Sequence, residues 1–180
     1  MQQPALFMLI GFILVIATIS AGSRPPQQTT PPAKTNSAVL AKSVGEMTSD
    51  EEQQFSDAAE STIERVCLSC HPFEMISKTR RPSSEWDTQV TTMVQRGAPG
   101  TESDFALIKK YLIRYYGIVR VNTATPEELS AVLGLSSRTA AAVVEYRKAH
   151  GNFTDLAALE KVEGVDKAKL EQEAEALRLN

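Results

Sequence analysis

Two cysteines and the histidine that follows them are the residues of this 180-residue chain best suited to chemistry. The stretch Cys67-Leu68-Ser69-Cys70-His71 contains both cysteines of the sequence. Two thiols three positions apart near a helix end lie on one side of the backbone, where both reach the vinyl groups of one porphyrin as thioethers. The adjacent imidazole is then held under the iron. This spacing predicts one covalently attached haem c, with Cys67 and Cys70 as attachment points and His71 as the proximal iron ligand.

Other uses of a cysteine pair fit the sequence less well. A thioredoxin-type redox pair needs a preceding strand in a βαβ context, and helical patterns surround this pair. A zinc site needs four ligands, and the only other histidine, His150, lies in a distant segment. The sequence contains no recognisable catalytic nucleophile, acid–base pair or nucleotide loop. It therefore predicts an electron-transfer protein, such as the electron-accepting partner of a dehydrogenase, rather than an enzyme.

The second iron ligand is predicted to be Met93. A methionine sulfur commonly lies opposite the histidine in low-spin haems that transfer electrons, whereas Met75 follows His71 too closely to reach the other face easily. Core packing is the alternative for Met93, and a five-coordinate haem would then favour ligand sensing. Trp86 is expected to pack against the porphyrin or to donate a hydrogen bond to a propionate. Arg80 and Arg81 either pair with propionates or remain solvated.

Three predicted helices surround this motif. The first begins with Ser49 as N-cap and Glu52 three residues later, and ends near the cysteines. The second begins at Ser83, and the third covers residues 101–115. The positions predicted to be buried are Phe55, Ala59, Ile63 and Val66 in the first helix, Trp86, Val90, Met93 and Val94 in the second, and Phe105, Ile108, Leu112, Tyr115 and Tyr116 in the third.

The stretch from Cys67 to Gly117 resembles small monohaem cytochrome c domains of bacterial periplasmic proteins. The shared features are Cys-x-x-Cys-His, a tryptophan, the run Met-Val-x-Arg-Gly-Ala that begins at Met93, and a final helix containing Tyr111-Leu112. The haem domain of quinohaemoprotein amine dehydrogenases is similar. The resemblance implies that residues 49–118 form a haem domain, that Met93 is the distal ligand, and that the partners are redox proteins such as a dehydrogenase or an oxidase.

The N-terminus predicts export from the cytoplasm. Residues 5–19 form an unbroken apolar run, and residues 1–22 are interpreted as either a cleaved signal peptide or a membrane anchor. Residues 23–48 are rich in proline, glutamine and threonine and are predicted to form a flexible linker. Both interpretations place the remainder in the periplasm or at the extracytoplasmic face, with inner-membrane anchoring if the leader is retained.

Residues 119–180 contain a repeated pattern of two short helices around a glycine turn. Thr125, Pro126 and Glu128 predict the start of one helix, and a second covers residues 138–149 and ends at Gly151. A third helix opens within residues 153–156, and a fourth covers residues 167–177. The two turns are Leu133-Gly134-Leu135 and Glu163-Gly164-Val165. This pattern resembles the tandem helix-hairpin-helix domain of competence-type DNA receptors, which implies contact with a phosphate backbone.

Two observations favour a structural or protein-docking role for this domain over DNA binding. Ser136 and Asp166 replace the second glycine of the two hairpins, and from residue 121 onward there are 7 Lys and Arg against 10 Asp and Glu. The residues predicted for docking or for weak DNA contact are Gly134, Ser136, Arg138 and Gly164. The sequence thus predicts an all-α protein that carries electrons outside the cytoplasm. The alternative is an extracytoplasmic DNA-binding or DNA-uptake protein with an accessory haem.

Overall fold

The computed structural model describes residues 41–180, and α-helix is the main secondary structure of this part. These residues belong to a single compact unit. Its helices are α1 (Ser49–Val66), α2 (Glu74–Ser77), α3 (Ser83–Gln95), α4 (Glu102–Tyr116), α5 (Pro126–Leu133), α6 (Ser137–His150), α7 (Leu156–Leu159) and α8 (Lys167–Gln172). Short 3-10 helices lie at Val44–Glu46 and Ala174–Ala176. The predicted all-α class therefore describes the main architecture.

The first long helix begins one residue earlier than predicted. Thr48, not Ser49, is the N-cap of α1, and its hydroxyl accepts from the backbone N–H of Glu51. The Glu51 carboxylate in turn accepts from the backbone N–H of Thr48. Both Thr48 to Glu51 and Ser49 to Glu52 have the spacing of a capping box. Lys42 forms an ion pair with Glu51 at 2.8 Å, and Glu52 lies near Arg114 instead. These contacts favour Glu51 as the glutamate of the capping box, and therefore Thr48 as the N-cap.

An N-terminal core is formed between α1, α3 and α4. Its buried members are Val44, Phe55, Ala59, Ile63, Val66, Trp86, Val90, Leu107, Ile108, Tyr111 and Leu112. The predicted burial of Val94 is wrong, because its side chain is 43% exposed. Val94 follows Val90 by four residues, so helical spacing alone groups it with the buried residues, but it lies in the last turn of α3, where the helix ends.

A C-terminal core is formed by the elements after residue 118. Its buried members include Val121, Leu129, Val132, Leu133, Val143, Phe153, Leu159, Val162, Leu170 and Leu177. Thr125 caps α5 with Pro126 at the first helical position, as predicted, and Gly151 ends α6 with a φ of 88°. The helical spacing of Ala141 and Val144 in α6 predicts that both are buried; Val144 is buried, but Ala141 is exposed.

The predicted fourth helix of this region is too long. It ends at Gln172, and the chain continues through the Ala174–Ala176 turn into strand β2 (Leu177–Arg178). This strand pairs in parallel with β1 (Val119–Arg120), so that Val119 lies beside Leu177. Two-residue strands are too short to show the alternation by which strands are predicted. The pairing joins the two ends of the C-terminal core.

Arg114 links the two cores. Its side chain is 8% exposed, and its Nη1 lies 2.7 Å from a carboxylate oxygen of Glu173 and donates to the carbonyl of Val132. Its Nε lies 3.6 Å from Glu52 of α1. A buried arginine is tolerated only when carboxylates and carbonyls surround it. Arg114 therefore connects α1 with the turn after α5 and with the end of α8.

The predictions for residues 1–40 lie outside the described residues. These are the signal peptide or anchor of residues 1–22 and most of the linker of residues 23–48. Within residues 41–180, no helix combines the length and the apolar character that a membrane span requires.

Candidate functional site

A largely apolar cavity of about 390 Å³ lies beside the Cys-x-x-Cys-His stretch. The end of α1, the following loop, α3 and α4 enclose it. Its wall includes Val66, Cys67, Cys70, His71, Met75, Ile76, Arg81, Trp86, Gln89, Val90, Met93, Arg96, Phe105, Ile108 and Leu112. The fold thus brings the five residues predicted for the haem site, Cys67, Cys70, His71, Trp86 and Met93, to one cavity.

The two cysteines stand at the entrance of this cavity as free thiols. Cys67 is half-buried and Cys70 is exposed. Burial raises the pKa of the Cys67 thiol, and the neighbouring Cys70 thiol adds to the rise. Reactive redox thiols have a lowered pKa instead. Cys67 is therefore protonated at neutral pH, unlike the thiol of a reactive redox pair.

The imidazole of His71 has a ring nitrogen that the described part of the chain leaves without a hydrogen bond. Its Nδ1 is buried and lacks a partner in that part. Buried polar groups in proteins are nearly always paired. The imidazole lines the cavity. Within residues 41–180, no hydrogen bond to its Nδ1 holds it in place.

The two methionines near the cavity differ in their surroundings. Met93 lies in the last turn of α3 and is half-buried, whereas Met75 of α2 is 66% exposed. After Met93, the chain leaves the helix through Gly97, whose φ is 87°. The carbonyl of Met93 accepts from the backbone N–H groups of Arg96 and Ala98. These bonds fix the position of the Met93 backbone at the cavity wall.

Trp86 lines the cavity through its ring and uses its N–H elsewhere. The side chain is 1% exposed, and its Nε1 donates to the carbonyl of Tyr116 at 2.9 Å. Of the two roles predicted for Trp86, packing agrees with this geometry, while donation to a propionate does not, since the single indole donor is occupied.

Arg80 and Arg81 have different surroundings. Arg80 donates to the carbonyls of Tyr115 and Gly117 and lies 3.7 Å from Glu175. It therefore ties the loop after His71 to the junction of the two cores. Arg81 lines the cavity, lies 5.8 Å from the centre of the Trp86 ring and pairs with Glu85 at 3.4 Å. Of these two arginines, only Arg81 is placed to face a group in the cavity.

The residues around the cavity fit a covalently attached haem. They supply two thiols, an imidazole, a thioether sulfur, a large apolar wall and an arginine. Among residues 41–180, no group of three or more His, Cys, Asp or Glu side chains is close enough to hold a metal ion. A haem brings four nitrogen ligands of its own and requires only one or two from the protein.

The two predicted hairpin turns lie in the C-terminal core and pack against each other. Gly134 and Gly164 both have a positive φ, at 60° and 85°. An added Cβ at Gly164 would lie 2.8 Å from the Oγ1 of Thr139 in α6, and Lys169 of α8 donates to the carbonyl of Gly134. Glycine at these turns therefore permits both the backbone conformation and the close approach.

The residues in place of the second hairpin glycines act as N-caps. The Ser136 hydroxyl accepts from the backbone N–H of Thr139, and the Asp166 carboxylate accepts from that of Lys169. Arg138 projects from the first turn of α6 and is 90% exposed. It lies 3.6 Å from Glu163 of the other hairpin, which is 88% exposed. The second hairpin thus presents Glu163 and Asp166 to solvent beside Gly164.

Three further residues, which the sequence did not single out, contact the first hairpin. Arg114 approaches the first hairpin so closely that an added Cβ at Gly134 would lie 3.2 Å from its guanidinium. Gly45 packs against the backbone of Leu135, and the Glu46 carboxylate accepts from the Ser137 hydroxyl at 2.6 Å. These contacts join positions far apart in sequence, and no local pattern signals them.

The C-terminal part matches a known family. Residues 116–178 match the family described as Helix-hairpin-helix motif, and they form a helix-hairpin-helix domain. The match begins after most of α4 and does not include the Cys-x-x-Cys-His stretch.

Short stretches of the chain are similar to two kinds of curated protein. Over 54 residues, it is 39% identical to Endonuclease/exonuclease/phosphatase family domain-containing protein 1 of Homo sapiens, which covers 30% of this chain and 10% of that protein. The same-named protein of Xenopus laevis is 44% identical over 54 residues. An uncharacterised protein of Haemophilus influenzae is 42% identical over 55 residues, or 49% of its length. The chain thus matches half or less of each relative. No solved structure matches the chain.

Proposed function

We propose that this protein binds one haem c through Cys67, Cys70 and His71 and carries single electrons between redox proteins outside the cytoplasm. The observation that carries the proposal is the cavity that joins both cysteines and His71 to Met93. When bound, the haem supplies reversible one-electron oxidation and reduction of its iron. Export and the redox partner, a dehydrogenase or an oxidase, are parts of the proposal that come from the sequence.

Some side chains of the cavity would hold the haem, and others would exclude water from it. Cys67 and Cys70 would hold the haem through two thioether bonds, and His71 and Met93 would be the iron ligands. Trp86, Val90, Ile108 and Leu112 cover the remaining wall with apolar surface. Low solvent access and an axial methionine are two of the means by which proteins raise the potential of a haem.

Replacing Met93 tests the assignment of the iron ligands. In the haem-loaded full chain, we expect Met93→Ala to lose the weak near-infrared band typical of methionine–iron ligation and to lower the reduction potential. Met75→Ala is the matched control, since Met75 lines the same cavity but is 66% exposed. Absorption spectra of the oxidised proteins and redox titrations provide the readout. Loss of the band in Met75→Ala with retention in Met93→Ala would assign the ligand to Met75 instead.

A second candidate function is binding of nucleic-acid backbone by the helix-hairpin-helix domain. The family match supports it, and backbone N–H groups at helix N-termini commonly contact phosphates. The local charge opposes it, since Glu163 and Asp166 flank the exposed second turn. Arg138 is the cation best placed to offset them.

The salt dependence of duplex binding tests this second candidate. If Arg138 contacts a phosphate, Arg138→Ala should weaken binding to any duplex sequence and reduce the slope of log K against log salt by about 1. Arg120→Ala is the matched control, because Arg120 is also exposed but lies on β1. Anisotropy of a labelled duplex is the measurement. Equal effects of both variants would remove Arg138 from the site, and no binding at low salt would exclude the candidate.

A further inference from the structure

The first hairpin of the helix-hairpin-helix domain is covered by a segment from the opposite end of the described chain. This segment, Ser43–Met47, contains the 3-10 helix Val44–Glu46. Val44 is 4% exposed and belongs to the N-terminal core. Val44 therefore anchors the segment in the N-terminal core, while the next two residues, Gly45 and Glu46, contact the first hairpin of the C-terminal core.

Gly45 makes the closest approach to the hairpin. A Cβ added at Gly45 would lie 2.6 Å from the carbonyl oxygen of Gly134 and still closer to that of Leu135. Because both neighbours are backbone atoms, they cannot rotate away as a side chain would. The segment and the turn thus pack backbone against backbone, which only glycine at position 45 permits.

Glu46 places a carboxylate at the N-terminus of α6. Its Oε1 accepts from the hydroxyl of Ser137, the first residue of this 14-residue helix. The hydrogen bond from the Ser137 side chain lowers the pKa of the Glu46 carboxyl and outweighs the opposing effect of burial, so the group is charged at neutral pH. A charged acceptor here is stabilised by the free N–H groups and the dipole of the helix.

We propose that Glu46 is a built-in ligand of the first hairpin, and that its carboxylate occupies the anion position at the N-terminus of α6 and holds the Ser43–Met47 segment against the turn. A nucleic-acid phosphate at this hairpin then has to displace both the carboxylate and the backbone of Gly45. This consequence for nucleic acid rests on the second candidate function, whereas the occupancy by Glu46 does not. The hairpin therefore serves first as an internal docking site.

Two measurements on the full chain test the proposal. In Glu46→Ala, amide hydrogen exchange at Met47, whose N–H donates to the carbonyl of Val44 within the segment, should accelerate about tenfold, because the charged hydrogen bond that holds the segment to Ser137 is lost. The same variant should bind a labelled DNA duplex at least about fivefold more tightly than the parent, since a competing ligand is removed. Glu171→Ala is the matched control; it removes one exposed carboxylate that forms no hydrogen bond or ion pair with residues 41–180.

A second variant tests the backbone contact independently. Gly45→Ala should displace the segment, and we expect the same acceleration at Met47 and the same gain in duplex affinity. Unchanged exchange at Met47 in Glu46→Ala would overturn the proposal, whatever the duplex affinity. Accelerated exchange without duplex binding by any variant would exclude the nucleic-acid candidate and leave Glu46 as the occupant of the hairpin. Equal affinity gains in Glu46→Ala and Glu171→Ala would overturn the competition with phosphate.

Discussion

Replacing both Cys67 and Cys70 by serine should abolish covalent haem and destabilise the N-terminal core. The denatured double variant should show no haem, because serine hydroxyls do not form the two thioether bonds. The Tm should fall by more than about 10 °C relative to the loaded parent, since a ligand that binds only the folded chain stabilises it and a loss of a few kcal/mol shifts Tm by several degrees.

The physical reason for this loss lies in the cavity. The N-terminal core consists of three main helices, and domains of this size bury too little apolar surface to be very stable alone. Its large buried side chains, Trp86 and Ile108, face a cavity of about 390 Å³. A porphyrin in this cavity would supply further apolar contacts to both side chains, and these contacts are absent from the haem-free chain.

Ser69→Ala is the matched control for the cysteine variants. Ser69 lies between the two cysteines. Within residues 41–180, its hydroxyl makes only a long contact of 3.5 Å with the carbonyl of Val66 and one of 3.7 Å with the Cys70 sulfur. We expect full haem attachment and an unchanged Tm. Haem staining of denaturing gels and thermal unfolding followed by circular dichroism are the measurements. Covalent haem in the double variant would refute the assigned attachment points.

The second large effect is expected at Arg114. Arg114→Ala should reduce the free energy of unfolding by about 3–5 kcal/mol, because removing one partner of a buried ion pair leaves the other charge uncompensated. The charge most affected is Glu173, which lies 2.7 Å from the guanidinium and is 16% exposed. Glu52, 3.6 Å away and 34% exposed, is solvated and should contribute less.

Removing the Arg114 side chain should also uncouple the unfolding of the two cores. In the parent, urea unfolding followed by the haem spectrum and by circular dichroism should give one transition, whereas Arg114→Ala should give two separate midpoints. Arg138→Ala is the control; its side chain is 90% exposed, and a change within about 0.5 kcal/mol is expected. A cost below about 1 kcal/mol for Arg114→Ala, with coincident transitions, would show that this contact does not join the cores.

The order of the helices follows from local signals in the sequence. Thr125, Pro126 and Glu128 specify the start of α5, and Gly151 specifies the end of α6, since caps and glycine termini depend on residues within one or two turns. The same signals were ambiguous at Thr48 and Ser49, where two overlapping capping boxes compete. The contact between Glu51 and Lys42 favours Thr48 as the N-cap, and it joins residues nine positions apart.

The parts that the sequence did not predict depend on long-range contacts. The pairing of Val119 with Leu177 and the ion pair of the buried Arg114 with Glu173 join residues 58 and 59 positions apart, and neither has a periodic signature. At the candidate site, the sequence placed the cysteines, His71, Trp86 and Met93 together because one ligand explains all of them. It missed Glu46, because a glutamate in a linker-like segment has no pattern that points to a helix 91 positions later.

The most direct test of haem binding is the absorption spectrum of the full chain, produced in an export host that attaches haem and measured in both oxidation states. We expect haem that remains bound after denaturation, a sharp low-spin spectrum when reduced, and the near-infrared band of methionine ligation when oxidised. A high-spin spectrum that changes on addition of carbon monoxide would contradict ligation by Met93. Absence of covalent haem would contradict the central claim and leave the helix-hairpin-helix domain as the functional part of the chain.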